Sequence, residues 1–123
     1  MDETYISFYL NAGRIHVFVN SLRAIGSPNR ICFMIDNSGN KLLMTAYNKR
    51  DFRSHGVPSS VYKGQSSLEI SSLRLCNLIA QMKGWTTISS YRIPGKVNKT
   101  NNTVIFDLNT AIKIENQKLG SVL

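Results

Sequence analysis

The sequence predicts an α+β fold: a mostly antiparallel sheet built from two strand–helix–hairpin pseudo-repeats, with one helix from each on one face. Three observations predict it. Val19-Asn20-Ser21-Leu22-Arg23 and Ile70-Ser71-Ser72-Leu73-Arg74 are nearly the same five residues. Each copy follows a short run with the alternation of a β strand. Each leads into an apolar helical stretch, a Gly, and two further β-type runs joined by a polar turn.

Taken in order, Tyr5 to Leu10 alternates, with Ile6, Phe8 and Leu10 on one face and Tyr5, Ser7 and Tyr9 on the other. Arg14 to Val19 alternates likewise, and Asn11-Ala12-Gly13 between them predicts a tight loop, so the two runs read as a hairpin. Positions 15, 18, 22 and 25 also match a helical face. The second copy, where strand and helix separate more clearly, favours a strand followed by a short helix. Asn20 or Ser21 caps that helix, and Gly26 and Pro28 end it. Ile31 to Ile35 is apolar on both faces, as in a strand covered on both sides. Asp36 to Asn40 is a turn, and Leu42 to Tyr47 the returning strand.

Residues 48–67 form the longest irregular stretch and read as a basic linker or functional loop. The second copy begins at Leu68. Ser71 or Ser72 caps its helix, Leu75, Leu78, Ile79 and Met82 form the buried stripe, and Gly84 ends it. Thr86 to Ile93 and Thr103 to Leu108 are the closing strands, joined through a lysine-bearing tip at 94–102. The organisation expected is one domain over 1–123: pseudo-repeat one at about 5–47, the basic linker at about 48–67, pseudo-repeat two at about 68–108 and a tail at 109–123. Ala111, Ile112 and Ile114 of that tail dock, and from Gln117 onward it frays.

Composition bounds the class. At 123 residues, 42% hydrophobic and 18% charged, the chain supports a core without a disulfide or metal staple. Met1-Asp2-Glu3-Thr4 lacks the basic start of a signal peptide, and no run approaches the ~18 apolar residues of a membrane span. The expectation is a cytoplasmic protein without a membrane partner. Cys32 and Cys76 lie inside apolar runs and read as small buried hydrophobes.

Fifteen Lys and Arg against seven Asp and Glu leave a net charge of +8, a balance that favours polyanionic partners. Catalytic signatures are missing. No Gly-x-Ser-x-Gly elbow occurs, no carboxylate lies near His16 or His55 in sequence, Glu69 is a lone acid, and phosphate-cradling glycine motifs are absent. No catalytic residue, metal ligand or cofactor is therefore assigned. Two basic places stand out. One is Lys49, Arg50 and Arg53, interleaved with Phe52 and followed by Lys63. The other is Arg92 leading into a hairpin tip with Lys96 and Lys99. Cations on loops suit phosphate contacts, and an interleaved aromatic suits base stacking.

A third feature is a sheet face. If Phe33 and Ile35 face the helices, Cys32 and Met34 point away, beside Leu43, Thr45 and Tyr47. That half-apolar surface needs cover, from the N-terminal hairpin by default, or from a second subunit or a partner.

A tandem strand–helix–hairpin pair adding to one sheet resembles, in architecture alone, the duplicated units of DNA sliding clamps and of the TATA-binding protein. The resemblance spans Arg14 to Leu108 and rests on element order and the repeated helix start. No family motif accompanies it. It implies a shared fold and carries over no binding residue. The expected function is a small non-enzymatic nucleic-acid-binding protein, DNA more than RNA, acting as an accessory or regulatory factor. The alternative is a protein-interaction or homodimerisation module using the apolar sheet face.

Overall fold

A computed structural model describes residues 4–114. The expected fraying from Gln117 lies outside these residues. In chain order the strands are β1 (Tyr5–Tyr9), β2 (Arg14–Phe18), β3 (Arg30–Ile35), β4 (Lys41–Ala46), β5 (Ser54–Gly56), β6 (Ser67–Ser71), β7 (Ser90–Asn98), β8 (Thr103–Asp107) and β9 (Ile112–Ile114). Helix α1 (Val19–Ala24) follows β2, and α2 (Leu73–Lys83) follows β6. The strands form one nearly closed sheet in the order β5-β3-β4-β8-β7-β1-β2-β6, with β9 beside β7 and every pairing antiparallel. This is the expected α+β class, an antiparallel sheet with two helices on one face.

Alternation decides what each strand buries. Ile6 and Phe8 of β1, Ile15 and Val17 of β2, Ile31 of β3, Leu42 and Met44 of β4, Ile93 of β7 and Phe106 of β8 are fully enclosed on the helix side. Each such side chain contributes about 1.5–3 kcal/mol on leaving water, so this inner face holds the fold together. The N-terminal hairpin forms as expected, with Gly13 in the left-handed region at φ 66°. It does not lie over the face that carries Met34. β1 and β2 enter the sheet between β7 and β6 instead, because their own alternation supplies one apolar face for the common core.

The helices follow the predicted punctuation in part. Ser72 caps α2, its hydroxyl accepting from the Leu75 N–H at 3.2 Å, and Gly84 ends the helix at φ 68°. The buried stripe is Leu75, Cys76, Ile79 and Ala80, whereas Leu78 and Met82 face outward, so the expected face is rotated. The small Cys76 and Ala80 let α2 settle close to β2, where the Cys76 thiol meets the Arg14 carbonyl at 3.9 Å. α1 begins one residue before the expected cap. Phe18 occupies that position without a side-chain bond, and Ser21 is buried with its hydroxyl donating to the Tyr5 carbonyl.

Two segments expected to be irregular are ordered. Residues 48–67 contain β5 and a 3-10 turn at Ser59–Tyr62, anchored by buried Val57 and Val61. Residues 94–98 belong to β7, so the hairpin tip shrinks to 99–102. Pro94 is tolerated for a geometric reason. The Gly95 N–H points to β1, donating to the Thr4 carbonyl at 2.7 Å, so the missing Pro94 N–H faces the other side. On that side β8, a 3-10 turn at Leu108–Thr110 and β9 succeed one another along β7, and the ladder is interrupted there. Gly95 itself points inward, where a Cβ would stand 2.7 Å from side-chain atoms of both Phe106 and Val104.

Candidate functional site

The expected basic residues are spread over the molecule. Lys49, Arg50 and Phe52 are exposed on the segment between β4 and β5, with Phe52 82% accessible. Arg53 in the same segment is engaged locally. Its Nη2 donates to Asp51 Oδ2 at 3.0 Å, and its guanidinium lies over the Tyr47 and Phe52 rings. That contact, followed by the hydroxyl of Tyr47 donating at 2.7 Å, lowers the Asp51 carboxyl to about 2. Asp51 therefore compensates one of the loop's three cations.

Lys63 lies just after the Ser59–Tyr62 turn, ahead of the opposite edge strand β6. Lys96 sits within β7 and not at a loop tip, because the strand runs through Pro94-Gly95. Only Lys99 lies in the turn between β7 and β8. Arg92 and Lys96 share one face of β7, about 13 Å apart at 3.3 Å per residue. Arg92, Lys96 and Lys99 thus follow one another along β7 and the turn after it, while the Lys49–Arg53 segment and Lys63 lead into the edge strands β5 and β6.

Glu69 is not isolated. In register, Glu69, His16, Ser7 and Arg92 form a row across β6, β2, β1 and β7. Glu69 bridges Arg14 and His16, meeting His16 Nε2 at 3.1 Å. The sequence separation of 53 residues hid this acid–imidazole pair. Among the described residues no hydroxyl or thiol hydrogen-bonds His16. Ser7, its neighbour in the row, is fully buried and accepts from Arg92. Burial raises the Cys32 thiol and pushes Cys76 up to about 11, so both are free thiols in apolar surroundings.

His55 packs against Phe33 with ring centroids 5.6 Å apart. Its burial, and then the positive charges of Arg74 and Arg30, hold its pKa below the ordinary imidazole value.

The outer face of the sheet carries two side-chain groups. On β3, β4, β8 and β7 the register aligns Met34, Leu43, Ile105 and Lys96 in one cross-strand row. Beside it run Cys32, Thr45, Thr103 and Asn98, and on the other flank Lys41 opposes Asp107. Met34 is 47% exposed, Leu43 and Ile105 are half-buried, and no strand or helix among the described residues lies over the row. The outer side of β3 is thus covered at Cys32 and open at Met34, where its continuous apolar run had predicted cover on both sides throughout.

On β1, β2, β7 and β9 the second group comprises Tyr5, Tyr9, His16, Phe18, Arg92, Ile112 and Ile114. The Tyr5 and Phe18 rings lie 5.4 Å apart and those of Tyr9 and His16 4.8 Å apart. Alternation in β1 had placed Tyr5 and Tyr9 outward. What sequence reasoning missed was their meeting with β7 and β9, which depends on pairing more than 80 residues apart. Comparison with protein-family models, curated proteins and solved structures returns no match.

Proposed function

We propose that this protein is a non-enzymatic protein-interaction module that self-associates through the outer face of β3, β4 and β8. The observation that carries the reading is the open apolar row Met34–Leu43–Ile105 at the centre of that face. Exposed thioether and branched aliphatic groups aligned across three strands lose unfavourable contact with water when a like surface covers them. A second copy suits the face because a two-fold contact is self-complementary. Lys41 and Asp107, opposed on the flank of the row, can each meet the other's counterpart across such an axis. Further exposed apolar side chains, Phe52 and Ile88 (79% accessible), add interaction surface elsewhere.

Element order supports a further proposal, that the chain is a tandem duplication. Strand, 3-10 turn, strand, helix and two strands occur as β1-β2-α1-β3-β4 and again as β5-β6-α2-β7-β8. Pairings exchange accordingly: β1 adds to β7 as β5 adds to β3, while β2 meets β6 and β4 meets β8. The resemblance to sliding clamps and the TATA-binding protein rests on the same order, and transfers no function.

Sedimentation equilibrium tests the self-association. The expected result is a monomer–dimer equilibrium for the protein and a monomer for Ile105→Glu. A wild-type chain that stays monomeric at high concentration, or a variant that dimerises equally well, overturns the reading.

A further inference from the structure

We propose that a second surface, the outer face of β9, β7, β1 and β2, binds single-stranded nucleic acid by stacking bases on two aromatic pairs around Arg92. The pairs are Tyr5 with Phe18 and Tyr9 with His16. Tyr5 and Tyr9 are four residues apart on one face of β1, a separation of about 13 Å at 3.3 Å per residue. Arg92 stands in the row between them, opposite Ser7. Its guanidinium lies 5.1 Å from the Phe18 ring centroid and 5.8 Å from that of Tyr5.

The charge state of this group points to an anion. Arg92 Nε donates to Ser7 at 3.3 Å, but among the described residues no carboxylate pairs with the guanidinium. Tyr5, Phe18, Arg92, Ile112 and Ile114 line an open concavity of about 450 Å³, with Ile112 61% exposed. Arg14 is a further cation on this face and is met by Glu69, whereas Lys96 belongs to the Met34–Leu43–Ile105 row.

Rings supply stacking faces for any base, and a guanidinium plane extends that platform while its free N–H groups meet a phosphate. An acidic peptide would use the cations and leave the aromatic pairs unexplained. A duplex hides its base faces, so these rings select an unpaired strand. The surface is distinct from the Met34–Leu43–Ile105 row, and the two activities stand or fall separately.

Fluorescence anisotropy with labelled dT and rU 20-mers and a 20-base-pair duplex, at about 50 mM salt where phosphate contacts are strongest, tests the proposal. Single strands are expected to bind and the duplex to bind much more weakly. Phe18→Leu and Tyr9→Leu, which keep apolar bulk and remove a stacking face, are each expected to weaken binding about fivefold or more. Arg92→Gln is expected to weaken it and to reduce the salt slope by about one. Replacing both Lys49 and Arg50 by Ala, which removes more charge from another edge, is expected to change affinity by less than about twofold if stacking dominates.

Absence of single-strand binding overturns the proposal, as does equal affinity for duplex. So does unchanged affinity in the ring variants. Tyr9→Leu keeps the test decisive should Arg92→Gln fail to fold, because Tyr9 lies outside the concavity.

Discussion

Arg92 and Ser7 face each other in the β1–β7 register, and the arginine Nε donates to the serine hydroxyl at 3.3 Å. Ser7 has no exposed surface although it lies on the outer face, and the Arg92 guanidinium that meets it lies over the Tyr5 and Phe18 rings. A short polar residue here both makes room for Arg92 and fixes its direction. Ser7→Ala removes the acceptor of a charged donor. A loss of about 1–3 kcal/mol in urea unfolding is expected, with an unchanged m-value.

Gly95 carries the β7 backbone past the core. An added methyl would meet Phe106 and Val104 at 2.7 Å, and both belong to the enclosed inner face. Gly95→Ala is expected to destabilise by about 1–3 kcal/mol through overpacking. Thermal unfolding checks this, and a Tm equal to that of the wild type would show that the neighbours yield freely.

His55 makes stability depend on pH. Its folded pKa lies below the unfolded value of about 6.5, so the unfolded chain binds more protons in the window below that value. Stability is therefore complete above about pH 6.5 and declines as the pH falls toward the folded pKa. Urea midpoints measured from pH 7.5 downward are expected to fall across this window, and His55→Phe is expected to reduce the decline. A midpoint that rises on acidification would show the opposite sign.

How much of this was legible follows from the range of each interaction. The Ser72 cap, the Gly84 stop, the turn at Asp36–Asn40 and the buried cysteines depend on neighbours in sequence, and all were read there. The α2 stripe was read with Leu78 and Met82 where the helix buries Cys76 and Ala80, since Leu75 and Ile79 fit with either pair. The surface beneath the helix makes that choice. Pro94-Gly95 signals a turn locally, yet continues a strand, since the gap between β8 and β9 decides whether its missing N–H matters. The Glu69–His16 pair and the Arg92 cluster arise from strand pairing over 53 and 85 residues. No local pattern encodes those partners.

The central claim is that the Met34–Leu43–Ile105 row is covered by a second copy of the chain. The methyl resonance of Met34 reads that surface directly, and the methyl of fully enclosed Met44 on the inner face serves as an internal control. On dilution the Met34 signal is expected to move along a dimer–monomer isotherm while that of Met44 stays fixed. Ile105→Glu is expected to hold Met34 at its dilute position at every concentration. A Met34 signal independent of concentration in the wild-type protein would contradict the account.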